Sequence, residues 1–125
     1  MSKRPLVLVL DDDEGMLTAL ERTLKVHGFS PAIFHCRHDF LAGANLEEAA
    51  CLILDIDLDE RLSGIELARQ LKRAGQSVPV IFITGSDLER TRADALEAGC
   101  IAYLTKPFEA SALIGAIQSA VPQAR

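Results

Sequence analysis

The chain has 125 residues, of which 49% are hydrophobic, and its formal net charge at pH 7 is −5. This length fits one domain, residues 1–125, with one core. The acidic charge argues against a domain that binds nucleic acid through its phosphates. The sequence contains no basic run and no apolar stretch of transmembrane length, so we expect a cytoplasmic protein with no membrane contact.

Short apolar runs predict five strands. The runs are Leu6–Leu10, 32–34, 52–54, 80–83 and 101–104. Short runs without polar residues are typical of strands that are covered on both faces of a sheet. The second and fifth runs are more mixed in composition, which favours positions near the sheet edges.

Between these runs, apolar residues at helical spacing predict five helices. The expected inward stripes are Met16, Leu17, Leu20 and Leu24; Phe40 and Leu41 within 37–44; Ile65, Ala68, Leu71 and Lys72; Leu88, Thr91, Ala95 and Leu96; and Leu113, Ile114, Ile117 and Val121. Ser63 and Asp87 are the expected N-caps of the third and fourth helices. Gly28, Gly75 and Gly99 are expected helix stops.

Five strands that alternate with five helices predict an α/β fold, a doubly wound parallel sheet with helices on both faces. In such sheets the loops after the carboxyl ends of the strands form the site. The polar residues that end the apolar runs are Asp11, Asp12, Asp55, Thr84 and Lys106. We expect all five at one edge of the sheet.

This set of side chains predicts phosphoryl chemistry. Three carboxylates that converge in a partly desolvated place repel one another and need a cation. Oxygen ligands favour Mg²⁺, which often binds through a few carboxylates and a phosphate. A carboxylate beside the metal could accept a phosphoryl group, whose oxygens would be neutralised by the metal and by Lys106. The hydroxyl of Thr84 could bind one of those oxygens.

Each of these residues also has an ordinary structural interpretation. An Asp pair after a strand often caps the next helix, and a lone lysine is usually a solvated surface residue. The expected convergence of Asp11, Asp12, Asp55 and Lys106 at one edge favours a site over these alternatives. Tyr103, taken alone, is interpreted as packing in the core or at a sheet edge.

The three cysteines, Cys36, Cys51 and Cys100, have no metal-ligand spacing. Cys51 and Cys100 each begin an apolar run, which favours buried, reduced thiols. Residues 35–38, HCRH, contain two histidines, but no second cluster of ligands accompanies them.

Four blocks together resemble the receiver domain of bacterial two-component response regulators. They are VLVLDDDEGML, LILDIDL, VPVIFITGSD and GCIAYLTKPF, and they follow the order and spacing of that family over almost the whole chain. The resemblance implies a CheY-like, flavodoxin-like fold with strand order 2-1-3-4-5. That agrees with the fold predicted from the strand and helix pattern.

The resemblance also implies roles for individual residues. Asp55 matches the phosphoacceptor, and Asp11 and Asp12 match the acid pair that holds Mg²⁺ together with Asp55. The backbone carbonyl of Asp57 matches the third protein ligand of the metal, and Lys106 matches the lysine that binds the phosphoryl group.

Three further positions match the family's switch and its scaffold. Thr84 matches the switch hydroxyl, and Tyr103 matches the aromatic residue that changes rotamer with it. Pro107 matches the proline after the lysine, which often follows a cis peptide bond in the family. Gly85 and Ser86 follow Thr84, where we expect them to influence the lifetime of the phosphorylated state.

The implied function is a signalling module rather than an enzyme. Asp55 would receive a phosphoryl group from a histidine kinase or a histidine phosphotransfer protein, with Mg²⁺ as cofactor. The last two helices could contact a second copy or a downstream protein. The sequence contains no output domain, and neither nucleic acid nor membrane is expected as a partner.

Two alternatives remain at this stage. One is a receiver-like module that binds partners without phosphorylation. The other is a phosphatase, because LILDIDL also resembles the Asp-x-Asp motif of haloacid-dehalogenase-type enzymes. In that case Asp55 would be the nucleophile and Asp57 the proton donor.

The loop after Asp55 departs from the family pattern. It reads DIDLDERLSG, with Leu58 where Met is common, Asp59 in place of a proline, and Gly64 one position late. Losing the proline frees a φ angle, and Asp59 and Glu60 add negative charge close to the site. We expect these acids to raise the dependence on Mg²⁺ or to slow phosphorylation by small anionic donors.

Overall fold

The computed structural model describes residues 4–58, 63–86 and 88–121. Five parallel strands form one sheet in the order β2-β1-β3-β4-β5. The strands are β1 (Leu6–Leu10), β2 (Ser30–Phe34), β3 (Ala49–Asp55), β4 (Val80–Thr84) and β5 (Ala102–Thr105). The helices are α1 (Glu14–Val26), α2 (Arg37–Gly43), α3 (Gly64–Arg73), α4 (Glu89–Glu97) and α5 (Ala110–Ala120). The predicted fold class and strand order are confirmed.

The strand order reverses between β1 and β3, which lie side by side at the middle of the sheet. The chain leaves β1 to form β2 on one side, and β3 begins the progression to β4 and β5 on the other. This topological switch point opens a crevice above the carboxyl ends of β1 and β3, where ligands bind in sheets of this type.

Alternating side chains of the central strands fill two separate cores. Val7 and Val9 of β1 point to the core under α1 and α5. Leu8 and Leu10 point to the opposite core, under α2, α3 and α4. Because both faces are covered, the strands read as continuous apolar runs instead of alternating ones. Of the helices in the described ranges, none is long and apolar enough to cross a membrane.

Strand boundaries differ from the predicted runs at several ends. β3 extends from Ala49 to Asp55, whereas the apolar run covered 52–54 only, and β2 starts at Ser30 instead of 32. β5 begins at Ala102, one residue later than predicted, and reaches Thr105. The reason is that the hydrogen-bonded ladder pairs backbone groups, so polar and small residues join a strand when a neighbouring strand is in register.

The predicted inward stripe of α4 is wrong at two of its four positions. Leu88 and Leu96 are 60% and 61% exposed, while Ala95 is buried and Thr91 is half-buried. The face that packs against the sheet follows Thr91, Ala95 and Ala98, at i, i+4 and i+7. Two of these three residues are alanines, and the larger apolar side chains, Leu88 and Leu96, face outward.

Two other helix predictions need correction. In α2, Phe40 is fully buried, but Leu41 is 57% exposed, and in α3 the predicted stripe member Lys72 is exposed. The N-cap position of α4 is Leu88, and the predicted cap Asp87 lies outside the described residues. Ser63 does cap α3, because its hydroxyl accepts the Glu66 N–H at 3.2 Å.

The remaining signals in the sequence have mixed outcomes. The three predicted glycine stops all adopt positive φ, between 88° and 92°, the left-handed conformation that favours glycine after a helix. All three cysteines are free, and Cys51 is buried as predicted, with the pKa of its thiol raised by that burial to about 12. Cys100 is only half-buried. Cys36 is exposed, and its sulfur accepts the Asp39 N–H at the start of α2.

Candidate functional site

Three carboxylates meet in the crevice above β1 and β3. Asp11 and Asp12 directly follow β1, and Asp55 is the last residue of β3. Asp11 and Asp55 are buried, with exposed fractions of 0% and 2%, whereas Asp12 is exposed. One oxygen from each of the three lies within 4.8 Å of the others. The structure therefore brings together the three acids that the strand ends predicted.

Lys106 enters the same crevice from the end of β5. Its Nζ lies 3.0 Å from Asp11 Oδ2 and 3.2 Å from Asp55 Oδ2. The Lys106 N–H donates to the Thr84 carbonyl at 2.7 Å, which fixes the chain at this point. The following peptide bond, Lys106–Pro107, is cis, in agreement with the expectation for Pro107.

The two buried carboxylates are each held by one oxygen to the backbone. Asp11 Oδ1 accepts the Asp13 N–H at 3.0 Å, and Asp55 Oδ1 accepts the Asp57 N–H at 2.9 Å. The second oxygen of each carboxylate faces Lys106. These local turns orient both side chains before any ligand arrives, which is the preorganisation that a charged site needs.

The acids in the crevice carry more negative charge than Lys106 can neutralise. The pKa of Asp55 is raised from 3.8 to about 6, because burial and the neighbouring Asp11 carboxyl outweigh the opposing effects of the Asp57 amide and Lys106. Burial alone would lower the pKa of Lys106, but its contacts with Asp11 and Asp55 outweigh that effect and raise it. One lysine does not neutralise three acids, so the donor set fits a divalent cation with oxygen ligands.

The Asp57 side chain makes contacts that the sequence did not predict. Thr84, at the end of β4, is buried, and its hydroxyl donates to Asp57 Oδ2 at 2.8 Å. The Gly85 N–H points to the same oxygen at 3.3 Å. Thr84 Oγ1 also accepts the Ser86 N–H at 3.1 Å. Sequence reasoning assigned only the backbone carbonyl of Asp57, because no local pattern reveals a partner on another strand.

Tyr103 lies on the neighbouring strand β5, where it pairs with Phe82, two residues before Thr84. Tyr103 is half-buried, and its hydroxyl oxygen is buried. The guanidinium carbon of Arg92, on α4, lies 4.6 Å from the centre of the Tyr103 ring. This cation–π contact joins α4 to the strand that carries the predicted switch aromatic. Sequence reasoning missed Arg92, since one arginine on a polar helix face gives no signal by itself.

Gly64 closes the loop after Asp55 against the site. Its N–H donates to the Ile56 carbonyl at 3.0 Å, and a Cβ at this position would collide with the Asp55 carbonyl oxygen. The glycine that the sequence places one position late is thus in contact with the strand end that carries Asp55. Asp59 and Glu60 lie outside the described residues, so their expected effect on Mg²⁺ dependence stays a prediction.

Comparisons with known proteins agree with this geometry. The family described as the response regulator receiver domain matches residues 7–118. The response regulator protein TodT of Pseudomonas putida is 39% identical over 129 residues, covering the whole of this chain and 56% of TodT. The chain spans about half the length of the curated relatives it matches.

Solved structures give the same result. The response regulator StyR is 36% identical with a TM-score of 0.85, covering 94% of this chain and 59% of StyR. FixJ-N is 30% identical with a TM-score of 0.84, covering 95% of this chain and 94% of FixJ-N. The chain therefore belongs to the family of response regulator receiver domains, two-component signalling modules in which a phosphoaspartate and Mg²⁺ are general features.

Proposed function

We propose that residues 1–125 form one receiver domain, switched by phosphorylation of Asp55. The observation that carries this proposal is the placement of Asp55: a buried carboxylate at a strand end, fixed by a backbone amide and in contact with Lys106. The donor would be a phosphohistidine of a kinase or of a phosphotransfer protein. Such partners act in the cytoplasm, which is the location we propose.

The transfer requires little from the protein beyond position and charge. An oxygen of the Asp55 carboxylate attacks phosphorus, the phosphorus–nitrogen bond of the donor breaks, and the imidazole nitrogen leaves with the bonding pair. Lys106 Nζ already lies 3.2 Å from Asp55 and can bind an oxygen of the transferred group. Water later hydrolyses the acyl phosphate, so the module has self-catalysed chemistry only.

Mg²⁺ fits the acid cluster by the chemistry of its donors. The side chains of Asp11, Asp12 and Asp55 and the backbone carbonyl of Asp57 would hold it, all through oxygen. When bound, the ion supplies the positive charge that the repelling carboxylates and an incoming phosphoryl group need. The chain's own residues contribute the fixed orientation of the Asp11 and Asp55 carboxylates.

A groove beside the site supports the proposal of a protein donor. It has a volume of about 200 Å³ and lies between α1 and the start of α5, lined by Met16, Leu20, Phe108 and Leu113 among others. Pro107 also lines it and directly follows Lys106. Since a protein that delivers a phosphoryl group to Asp55 must contact the rim of this crevice, the groove is the proposed contact surface for the donor.

The proposed output runs through Thr84 and Tyr103. Thr84 would bind a phosphoryl oxygen, and Tyr103, in contact with Arg92 of α4, would pass the change to that helix. Leu88, Leu96 and Ile101 are exposed apolar residues in and beside α4. The last two helices with this patch form the proposed face for a second copy or a downstream protein.

Intact mass after incubation with acetyl phosphate tests the proposal. We expect a gain of one phosphoryl group that requires Mg²⁺ and is lost in Asp55→Asn. Phosphorylation from a purified histidine kinase provides the same test with a protein donor. A chain that gains no mass from either donor would instead be a module that binds partners without phosphorylation.

The Asp-x-Asp phosphatase alternative rested on LILDIDL alone. The family match replaces that basis, and the carboxylate of Asp57 is engaged by Thr84 and Gly85. Release of phosphate from a phosphate ester such as p-nitrophenyl phosphate, with many turnovers per chain, would restore this alternative. We expect none above the slow hydrolysis of the acyl phosphate.

A further inference from the structure

One oxygen of Asp57 accepts hydrogen bonds from two donors that face the site. Oδ2 accepts the Thr84 hydroxyl at 2.8 Å and the Gly85 N–H at 3.3 Å. A hydroxyl and an adjacent backbone N–H are the kind of donors that bind an anionic oxygen. Thr84 is the last residue of β4, and Gly85 directly follows it. β4 lies next to β3, the strand that ends at Asp55.

We propose that the Asp57 side chain is an internal substitute for the phosphoryl group, holding Thr84 and Gly85 until phosphorylation of Asp55 displaces it. The inference rests on the proposed function of Asp55 as acceptor and deepens it. It assigns to the Asp57 carboxylate a role separate from that of its backbone carbonyl. Asp57 is therefore a positioning residue, which acts through Thr84.

The backbone explains how the side chain reaches this place. The Asp57 N–H donates to Asp55 Oδ1 at 2.9 Å, which fixes residue 57 next to the acceptor carboxylate. From there the carboxylate spans to the end of β4. A phosphoryl group on Asp55 would approach the same two donors, and one oxygen position cannot be shared by two anions.

Exposure makes the displacement feasible. Asp57 is exposed, unlike Asp11 and Asp55, so its carboxylate can turn into water and remain solvated. Thr84 Oγ1 still accepts the Ser86 N–H at 3.1 Å, which keeps the hydroxyl near its present position after Asp57 leaves. The cost of binding an anion is then the loss of the Asp57 contacts, together with repulsion from its charge.

Two variants separate these effects. Asp57→Ala removes the charge and the shared acceptor, which leaves the Gly85 N–H without this contact and the Thr84 hydroxyl with its longer contact to the Ser86 carbonyl, at 3.2 Å. Asp57→Asn keeps an oxygen acceptor for Thr84 and Gly85 and removes the charge only. Neither substitution alters the backbone amide or carbonyl. The probe is beryllofluoride with Mg²⁺, a phosphoryl analogue that binds without covalent transfer, and its affinity is measured by calorimetry.

We expect Asp57→Ala to bind beryllofluoride about tenfold more tightly than the wild-type chain, because the competing acceptor is gone. Asp57→Asn should gain clearly less than Asp57→Ala. Equal gains in the two variants, or no gain in Asp57→Ala, would overturn the proposal, since charge alone or neither effect would then be at work.

A second readout uses the protein without metal or phosphoryl analogue. In Asp57→Ala the Gly85 amide should exchange faster with solvent and shift upfield in NMR spectra, while Asp57→Asn stays close to wild type. An unchanged Gly85 amide in Asp57→Ala contradicts the inference directly. If that amide responds but no variant binds beryllofluoride, the proposed function itself fails and the inference falls with it.

Discussion

Helices α3 and α4 lie over the same face of the sheet but are held in different ways. α3 has a side-chain cap from Ser63 and buries Ile65, Leu67, Ala68 and Leu71. In α4, all of whose residues are described, Ala95 alone is buried, and no described side chain caps its start. Elements with few buried contacts open and shift at lower free energy than well-packed ones.

The difference matches the parts of the site that each helix touches. α3 begins at Gly64, in contact with the backbone of Asp55, so it supports the proposed acceptor. α4 touches Tyr103 through Arg92. An ion pair also joins α4 to α3, Arg69–Glu97 at 3.2 Å, and it contributes little to stability because Glu97 is exposed. The proposed phosphoryl transfer, which needs fixed geometry, lies beside α3, the firmly packed helix. The proposed response lies beside α4, the loosely packed helix.

Truncation of one leucine on each helix is the most direct way to break this comparison. Leu67→Ala should reduce the free energy of unfolding by about 3 kcal/mol, because Leu67 is fully buried. Leu96→Ala, on α4, should change it by less than about 0.5 kcal/mol. Urea denaturation measures both, and equal losses would show that the two helices are equally anchored.

Gly64→Ala should be nearly as damaging, with a loss of about 2–3 kcal/mol, because a Cβ would meet the rigid Asp55 backbone. Gly115→Ala in α5 is the matched control, since a Cβ there meets nothing within 4 Å. That control should gain up to about 1 kcal/mol from the better helix propensity of alanine. A Gly64→Ala chain as stable as wild type would mean that α3 is free to move away from Asp55.

A lower pH should weaken Mg²⁺ binding at the acid cluster beside α3. With the pKa of Asp55 near 6, about nine-tenths of this carboxylate is ionised at pH 7 and about one-tenth at pH 5. Since proton and metal compete, the apparent affinity for Mg²⁺ should be about tenfold lower at pH 5. Calorimetric titration at the two pH values measures this, and an affinity independent of pH would remove Asp55 from the ligand set.

In the metal-free chain, by contrast, the free energy of unfolding should be higher at the more acidic pH. The raised pKa means that the folded state binds more protons than the unfolded state between about pH 4 and pH 6. Folding stability without Mg²⁺ should therefore fall as pH rises through this window, as measured by urea denaturation in the presence of EDTA. The Asp55→Asn variant, which does not titrate here, should lose most of this slope.

The smallest expected effect concerns the link between α4 and Tyr103. Arg92→Met removes the cation but keeps an aliphatic chain over the ring, so the free energy of unfolding should fall by about 0.5–1 kcal/mol. Arg90→Met, on an exposed position of the same helix, is the control. Faster amide exchange across α4 in Arg92→Met, but not in Arg90→Met, would identify this contact as a main restraint on the loose helix.

Local patterns in the sequence determined the main features of the fold. Short apolar runs located the five strands, and the alternation with helices gave a parallel sheet. Because the carboxyl ends of parallel strands share one edge, the positions of Asp11, Asp12, Asp55 and Lys106 at the strand ends were enough to predict their meeting. The spacing of apolar residues and the order of the elements along the chain are sufficient for this prediction, without any knowledge of side-chain contacts.

Only the tertiary structure decided the contacts made across the chain. The Asp57 carboxylate meets Thr84, 27 residues away, and Arg92 meets the ring of Tyr103. The sequence also could not predict which face of α4 packs against the sheet, because Leu88 and Leu96 fit a helical stripe as well as Ala95 does. Which stripe faces inward depends on how closely the helix approaches the sheet, and that distance is set by packing between elements rather than by local order.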